Sequence, residues 1–135
     1  YVNPHVNRPA DAQPYPLPED PLAGVARMMA CTRAVKAALP GLAIVGSAMT
    51  YLRQFSANLA AGAVEQGVCD VAGFGRMAFA YPSFARDILR GGCLDAGQCC
   101  VTCGKCSLLM RLGGTAGCVV RDPYYARHYR ELTQR

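Results

Sequence analysis

Charge is scarce in this chain, at 17% of residues, and no uncharged apolar run reaches the ~18 residues of a membrane span. An apolar share of 52% excludes a disordered chain and indicates a globular one. No basic stretch followed by an apolar one opens the sequence, so no secretory signal is visible. A dense basic block is also missing. Twelve arginines and two lysines outweigh nine acids, for a net charge of +5, but Arg27, Arg33, Arg53, Arg76, Arg90 and Arg121 are scattered. That spread argues against a nucleic-acid footprint and for a solvated surface with one or two anion sites. Length is limited too. The 135 residues make one ordinary domain, whereas a complete (β/α)8 barrel takes roughly 250. The chain starts at Tyr1 and its first stretch carries no strand pattern, so the expectation is a piece of a larger protein.

Residues 1–21 hold six prolines and read as an extended loop of functional length. A helix follows over 22–39, with Leu22, Val25, Met29, Thr32, Val35 and Leu39 on one stripe; Asp20 suits the cap and Pro21 the first helical position. Pro40 and Gly41 stop it. Residues 42–45 form a short apolar run suited to a strand buried on both faces. A second helix is predicted over 52–66, with Thr50 a candidate cap. A second buried strand is predicted over 69–74, and a short helix over 82–89. Helix and strand alternate, which implies parallel strands joined by right-handed crossovers, in either a barrel segment or a doubly wound sheet. From Gly91 the alternation stops: residues 91–118 read as irregular and Cys-rich, and residues 122–132 as a terminal helix or docked tail.

Both predicted strands end in glycine plus one polar or basic residue, Gly46-Ser47 and Gly75-Arg76. Parallel α/β folds place their sites at the carboxyl ends of strands. Glycine there permits close backbone approach, free N–H groups favour an anion, and arginine adds a forked donor suited to phosphate. Glycine after a strand is also common for structural reasons alone. It is the pair of turns together with Arg76 that favours phosphate.

Five of the eight cysteines fall between Cys99 and Cys118. Such crowding suits a metal site better than a set of secreted-type disulfides, and the expected location is cytoplasmic. Cys100, Cys103, Cys106 and Cys118 are spaced C-x2-C-x2-C-x11-C. Three thiolates so close can wrap a polynuclear core that a fourth closes, as in a [4Fe–4S] cluster with one thiolate per iron. Zinc is the main competitor, although its four-thiolate sites usually pair two C-x2-C units farther apart. Thiols without metal are the third reading. Cys99 in place of Cys100 would change the first spacing to x3. Cys31 and Cys69 read as packing residues, and Cys93 is undecided.

The run GVCDVAGFGRMAFAYPSFARDIL, residues 67–89, resembles the last strand and helix of the old yellow enzyme family of NADH:flavin oxidoreductases. IVGSAMTY, residues 44–51, is similar to that family's seventh strand and phosphate loop. NPHVNRPA, residues 3–10, resembles the loop after its sixth strand. The cysteine spacing resembles the branch that holds dienoyl-CoA reductase and trimethylamine dehydrogenase. The resemblance implies an α/β fold, the C-terminal portion of a (β/α)8 TIM barrel followed by an irregular Cys-rich segment. Residues 1–92 would run from the loop after strand six to helix eight, and residues 93–135 would hold the cluster segment and tail. It also implies FMN bound at its phosphate by Gly46, Ser47, Gly75 and Arg76, and a [4Fe–4S] cluster on Cys100, Cys103, Cys106 and Cys118. NAD(P)H would be the reductant and an activated alkene or similar small molecule the substrate. The partner would be the preceding part of the barrel, with a homo-oligomer compatible and with no nucleic acid and no membrane. No catalytic acid can be carried over, because the strands that bear it are outside this sequence. His5 and Arg8 would face the flavin mouth, where a structural histidine is the simpler role, and Tyr124 and Tyr125 would pack against the cluster.

Overall fold

A computed structural model describes residues 21–134; the proline-rich opening, with His5 and Arg8, lies outside the described residues. Helix α1 spans Pro21–Ala38, close to the predicted bounds. Proline suits its first position because that N–H has no intrahelical partner to lose. Lys36 stands in the last turn. Its ammonium donates to the carbonyls of Pro40 at 3.2 Å and Leu42 at 3.1 Å and meets the Asp70 carboxylate at 2.8 Å. One charge therefore ties the helix stop, the following turn and the foot of the second strand. The expected stripe is only partly buried. Val25 is buried and Met29 packs on the core, but Leu22, Val35 and Leu39 are exposed, while Met28, off that stripe, is buried.

Two strands form the sheet among the described residues: β1, Val45–Gly46, and β2, Val71–Ala72. They pair in parallel, Val45 opposite Val71 and Gly46 opposite Ala72. Parallel neighbours need a crossover connection. Here it is a 3-10 helix, Met49–Phe55, running into α2, Ser56–Glu65. The alternation read from sequence is thus present as an α/β arrangement, but both strands are shorter than predicted and are not buried on both faces. Val45 is 62% and Val71 53% exposed. Parallel sheets are ordinarily covered on both faces, whereas among the described residues nothing covers Val45 and Val71.

The predicted second helix starts earlier than expected, in 3-10 form, with a kink at Arg53 (φ 52°, ψ −121°). The Ser56 hydroxyl donates to the Arg53 carbonyl at 2.5 Å, and Arg53 donates to the Ala96 carbonyl at 3.0 Å. These bonds hold the kink against the loop that precedes the cysteines. Helices α3, Arg76–Ala80, and α4, Phe84–Gly91, follow β2. Tyr81 donates its hydroxyl to Asp87 at 2.7 Å across the turn between them.

The Cys-rich segment is less irregular than predicted. It contains α5, Lys105–Arg111, and is followed by α6, Pro123–Thr133. Asp122 caps α6 by accepting from the Tyr124 N–H at 2.8 Å, with proline at the first helical position. Two apolar clusters hold these elements. Met49, Ala60, Ala63, Val68 and Cys69 form one under the strands. Met77, Ala80, Tyr81, Leu94, Cys99 and Cys100 form the other, which fastens the cysteine segment to α3 and α4. Phe74 packs against both and joins them.

Candidate functional site

The two strand tips are drawn together by glycine. The Gly73 N–H donates to the Gly46 carbonyl at 2.6 Å. A Cβ on Gly73 would stand 2.9 Å from that same oxygen and 2.9 Å from Val45 Cγ1. Past the tips the chains diverge. Ala48 takes a left-handed turn (φ 73°) into the 3-10 helix, and Gly75 leads into α3 with open space where a Cβ would stand. The divergence opens a cavity of about 280 Å³ lined by Ser47, Ala48, Thr50, Gly73, Gly75, Arg76, Phe79, Cys106, Ser107 and Met110. Its polar part is one guanidinium and three hydroxyls, a set suited to a phosphate-sized anion, and the rest is small residues with Phe79, Met110 and the Cys106 sulfur.

Three of the four residues expected to hold phosphate, Ser47, Gly75 and Arg76, line this cleft. Gly46 lies behind the wall, where a Cβ would meet Cys69 Sγ at 2.6 Å. Thr50, Gly73 and Ser107 belong to the lining and were outside the predicted set. Gly73 had a signal, since glycine inside a strand pattern marks close backbone approach. Thr50 reads from sequence only as a helix cap, and Ser107 carries no signal at all.

Beside the cleft lies a second, small pocket, lined by Cys100, Cys103, Cys106 and Cys118 together with Arg76, Phe79, Val101, Gly104, Val119 and Val120. All four spaced cysteines therefore face one space. The local backbone explains how. Thr102 (φ 54°) and Gly104 (φ 74°) are both left-handed, so the chain curls between successive cysteines, and the Thr102 N–H donates to Cys100 Sγ at 3.3 Å. Helix α5 then carries Cys106 in its first turn. Cys118 arrives from the far side on a glycine-rich return that α6 clamps. A Cβ on Gly114 would stand 2.6 Å from Leu132 Cδ1 and 2.8 Å from His128 Nε2, and one on Gly117 would run into the Tyr125 ring. Tyr125 thus packs on Gly117, the residue before Cys118, while Tyr124 is largely exposed.

Burial pushes the Cys100 thiol up from its ordinary 9.0, against the Thr102 N–H and the Arg76 charge, both of which favour thiolate; the Cys106 and Cys118 sulfurs push it further up. Cys100 is thus within electrostatic reach of two of its three companions and of Arg76. Among the described residues, no three His, Cys, Asp or Glu side chains stand gathered as ligands of one ion. The donor set itself is four thiols, with Cys100 buried and accepting an N–H and Cys103 exposed; by type and number it is the set that a polynuclear iron–sulfur core takes.

The remaining cysteines stay out of this pocket. Cys99 is fully buried in the core and takes a raised pKa from that burial, so the x2 spacing that starts at Cys100 is the one the pocket uses. Cys69 is buried under the strands as predicted, whereas Cys31, read as a packing residue, is exposed on α1, as is Cys93 in its loop. Helix α1 buries Val25 and Met28 in its first half, whereas Cys31 lies in its second half, where no residue is buried. Among the described residues no helix is long and apolar enough to cross a membrane. No family model, curated protein or solved structure matches this chain.

Proposed function

We propose that this chain is the C-terminal part of a flavin-binding (β/α)8 barrel oxidoreductase with a [4Fe–4S] cluster. The observation that carries the reading is a single arginine standing between two sites. Arg76 lines both the cleft at the strand tips and the pocket that all four spaced cysteines face. Ser47, Gly75 and Arg76 would hold the FMN phosphate, with Gly46 keeping the strand tips close behind them. Cys100, Cys103, Cys106 and Cys118 would each ligate one iron. When bound, the flavin supplies hydride transfer from NAD(P)H to an activated alkene or similar small molecule, and the cluster supplies single-electron transfer.

The chain's own residues orient and insulate. Arg76 offsets phosphate charge, and the Ser47 and Thr50 hydroxyls offer donors beside it. Val101, Val119, Val120 and Phe79 give the thiol pocket an apolar rim, though Val101, Val120 and Phe79 are themselves partly exposed. The Thr102 N–H withdraws electron density from Cys100 Sγ. The bare valines of the ladder, with exposed Leu42, support the barrel reading, because apolar surface of that extent is what neighbouring strands would cover.

The deciding experiment is anaerobic purification followed by iron, sulfide and zinc analysis with a visible spectrum. About four iron and four sulfide per chain with a broad brown band is the expected result. Colourless protein holding one zinc would end the redox reading in favour of a structural zinc module. In the protein that completes the barrel, Arg76→Ala weakens FMN retention, and unchanged retention would remove Arg76 from the phosphate site.

A further inference from the structure

We propose that Arg76 couples the two sites, so that an anion seated in the cleft lowers the reduction potential of the cysteine site, and reduction of that site weakens the anion. This rests on reading the thiol pocket as an iron–sulfur site. The geometry is a wall one side chain thick: Arg76, Phe79 and Cys106 line the cleft on one side and the thiol pocket on the other. Among the described residues that line either space, Arg76 is the one fixed charge; the others are apolar, hydroxyl, glycine or thiol.

The sign follows from charge. Reduction adds one electron to the cluster, and the guanidinium favours that added negative charge. An anion in the cleft cancels much of the guanidinium's field, so the oxidised form gains and the potential falls. Linkage makes the effect reciprocal: the factor by which the anion disfavours reduction is the factor by which reduction weakens the anion. Unit charges several ångströms apart in a partly solvated site give about a tenfold change in the oxidised-to-reduced ratio, which is 59 mV for one electron.

The test uses the protein with its cluster reconstituted anaerobically from ferrous iron and sulfide. Midpoint potentials are measured by mediated electrode titration in inorganic phosphate, in ribose 5-phosphate, in ribose, and in chloride at matched ionic strength. Phosphate and the monoester lower the potential by about tenfold in the redox ratio, and ribose and chloride do not. A larger response to the monoester than to free phosphate identifies the esterified group as the fitting ligand. Arg76→Gln has a lowered potential without any anion and no response to phosphate; Arg76→Lys, which keeps the charge without the fork, retains the potential and part of the response. Arg90→Gln behaves as wild type. Separately, phosphate binds about tenfold more weakly to dithionite-reduced protein by calorimetry.

A potential that ignores saturating phosphate, or a wild-type response in Arg76→Gln, overturns the coupling while leaving the iron–sulfur reading intact. Failure to take up a cluster overturns both. If Arg76→Gln does not fold, the wild-type anion series decides alone.

Discussion

Gly46 and Cys69 touch behind the strand tips so closely that a Cβ on Gly46 would lie 2.6 Å from the Cys69 sulfur and 3.0 Å from its Cβ. Both residues are buried, and neither has room to move without disturbing Met49, whose methyl would be 3.2 Å away. Overpacking of this kind costs about 1–3 kcal/mol. Gly46→Ala therefore lowers the urea midpoint, and the same change in a Cys69→Ala background costs clearly less. Equal costs in the two backgrounds would show that the contact does not set the requirement for glycine.

Acid stability provides a second test. The Asp70 carboxyl is held below its ordinary 3.8 chiefly by its hydrogen bond with Lys36, then by the Ile44 N–H, which donates at 2.8 Å. Asp87 is likewise lowered, first by the Tyr81 hydroxyl. A lowered folded pKa contributes stability that is present above the unfolded value and lost as pH falls through the folded one, so the loss lies below about pH 4. Asp70→Asn should melt below wild type at pH 7, with the gap closing as pH drops through that window. A gap that stays constant down to pH 2 would mean the carboxylate's charge is not what holds Lys36 and the Ile44 amide.

Much of this was readable in the residues. Pro21 and the Pro40-Gly41 stop bound α1, and the C-x2-C-x2-C-x11-C spacing singles out the four cysteines that share a pocket. The strand tips were legible as glycine turns, and Arg76 as their charge. Side-chain environment was not legible. Their short apolar runs mark Val45 and Val71 as buried, but burial depends on a second layer, and among the described residues none covers that face. Helix α5 is hidden because its start depends on the left-handed Thr102 and Gly104, and threonine carries no sequence signal for positive φ. The role of Gly46 escaped for a related reason: a glycine that cradles a ligand and a glycine that makes room for a neighbouring sulfur look alike until the neighbour is known.

The clamp by α6 is testable at Gly117, whose missing side chain makes room for the Tyr125 ring. Gly117→Ala should push α6 off the return that delivers Cys118, lowering thermal stability and iron retention together. Tyr125→Ala in the same chain opens the space and restores iron more than it restores stability, because the lost ring contact is not replaced. If Gly117→Ala binds iron as wild type does, the position of Cys118 does not depend on α6.

The sharpest division lies among the cysteines. Cys100, Cys103, Cys106 and Cys118 line one pocket, although Cys100 also belongs to the core and Cys103 is exposed; Cys99 and Cys69 are core residues outside that pocket, and Cys31 and Cys93 are exposed outside it. Single Cys→Ser changes should therefore sort into three groups when iron content and thermal midpoint are measured side by side. At the four pocket positions iron falls steeply, because serine is a poor thiolate substitute for a soft iron site. At Cys99, with its side chain wholly inside the α3–α4 core, the hydroxyl is buried in place of sulfur, so stability drops by about 1–3 kcal/mol while anaerobically assembled protein keeps its iron. At Cys31 and Cys93 neither quantity moves. Loss of iron at Cys99 with retention at Cys100 would reverse the ligand assignment, and uniform behaviour across all the cysteines would leave no reason to regard the pocket as a metal site.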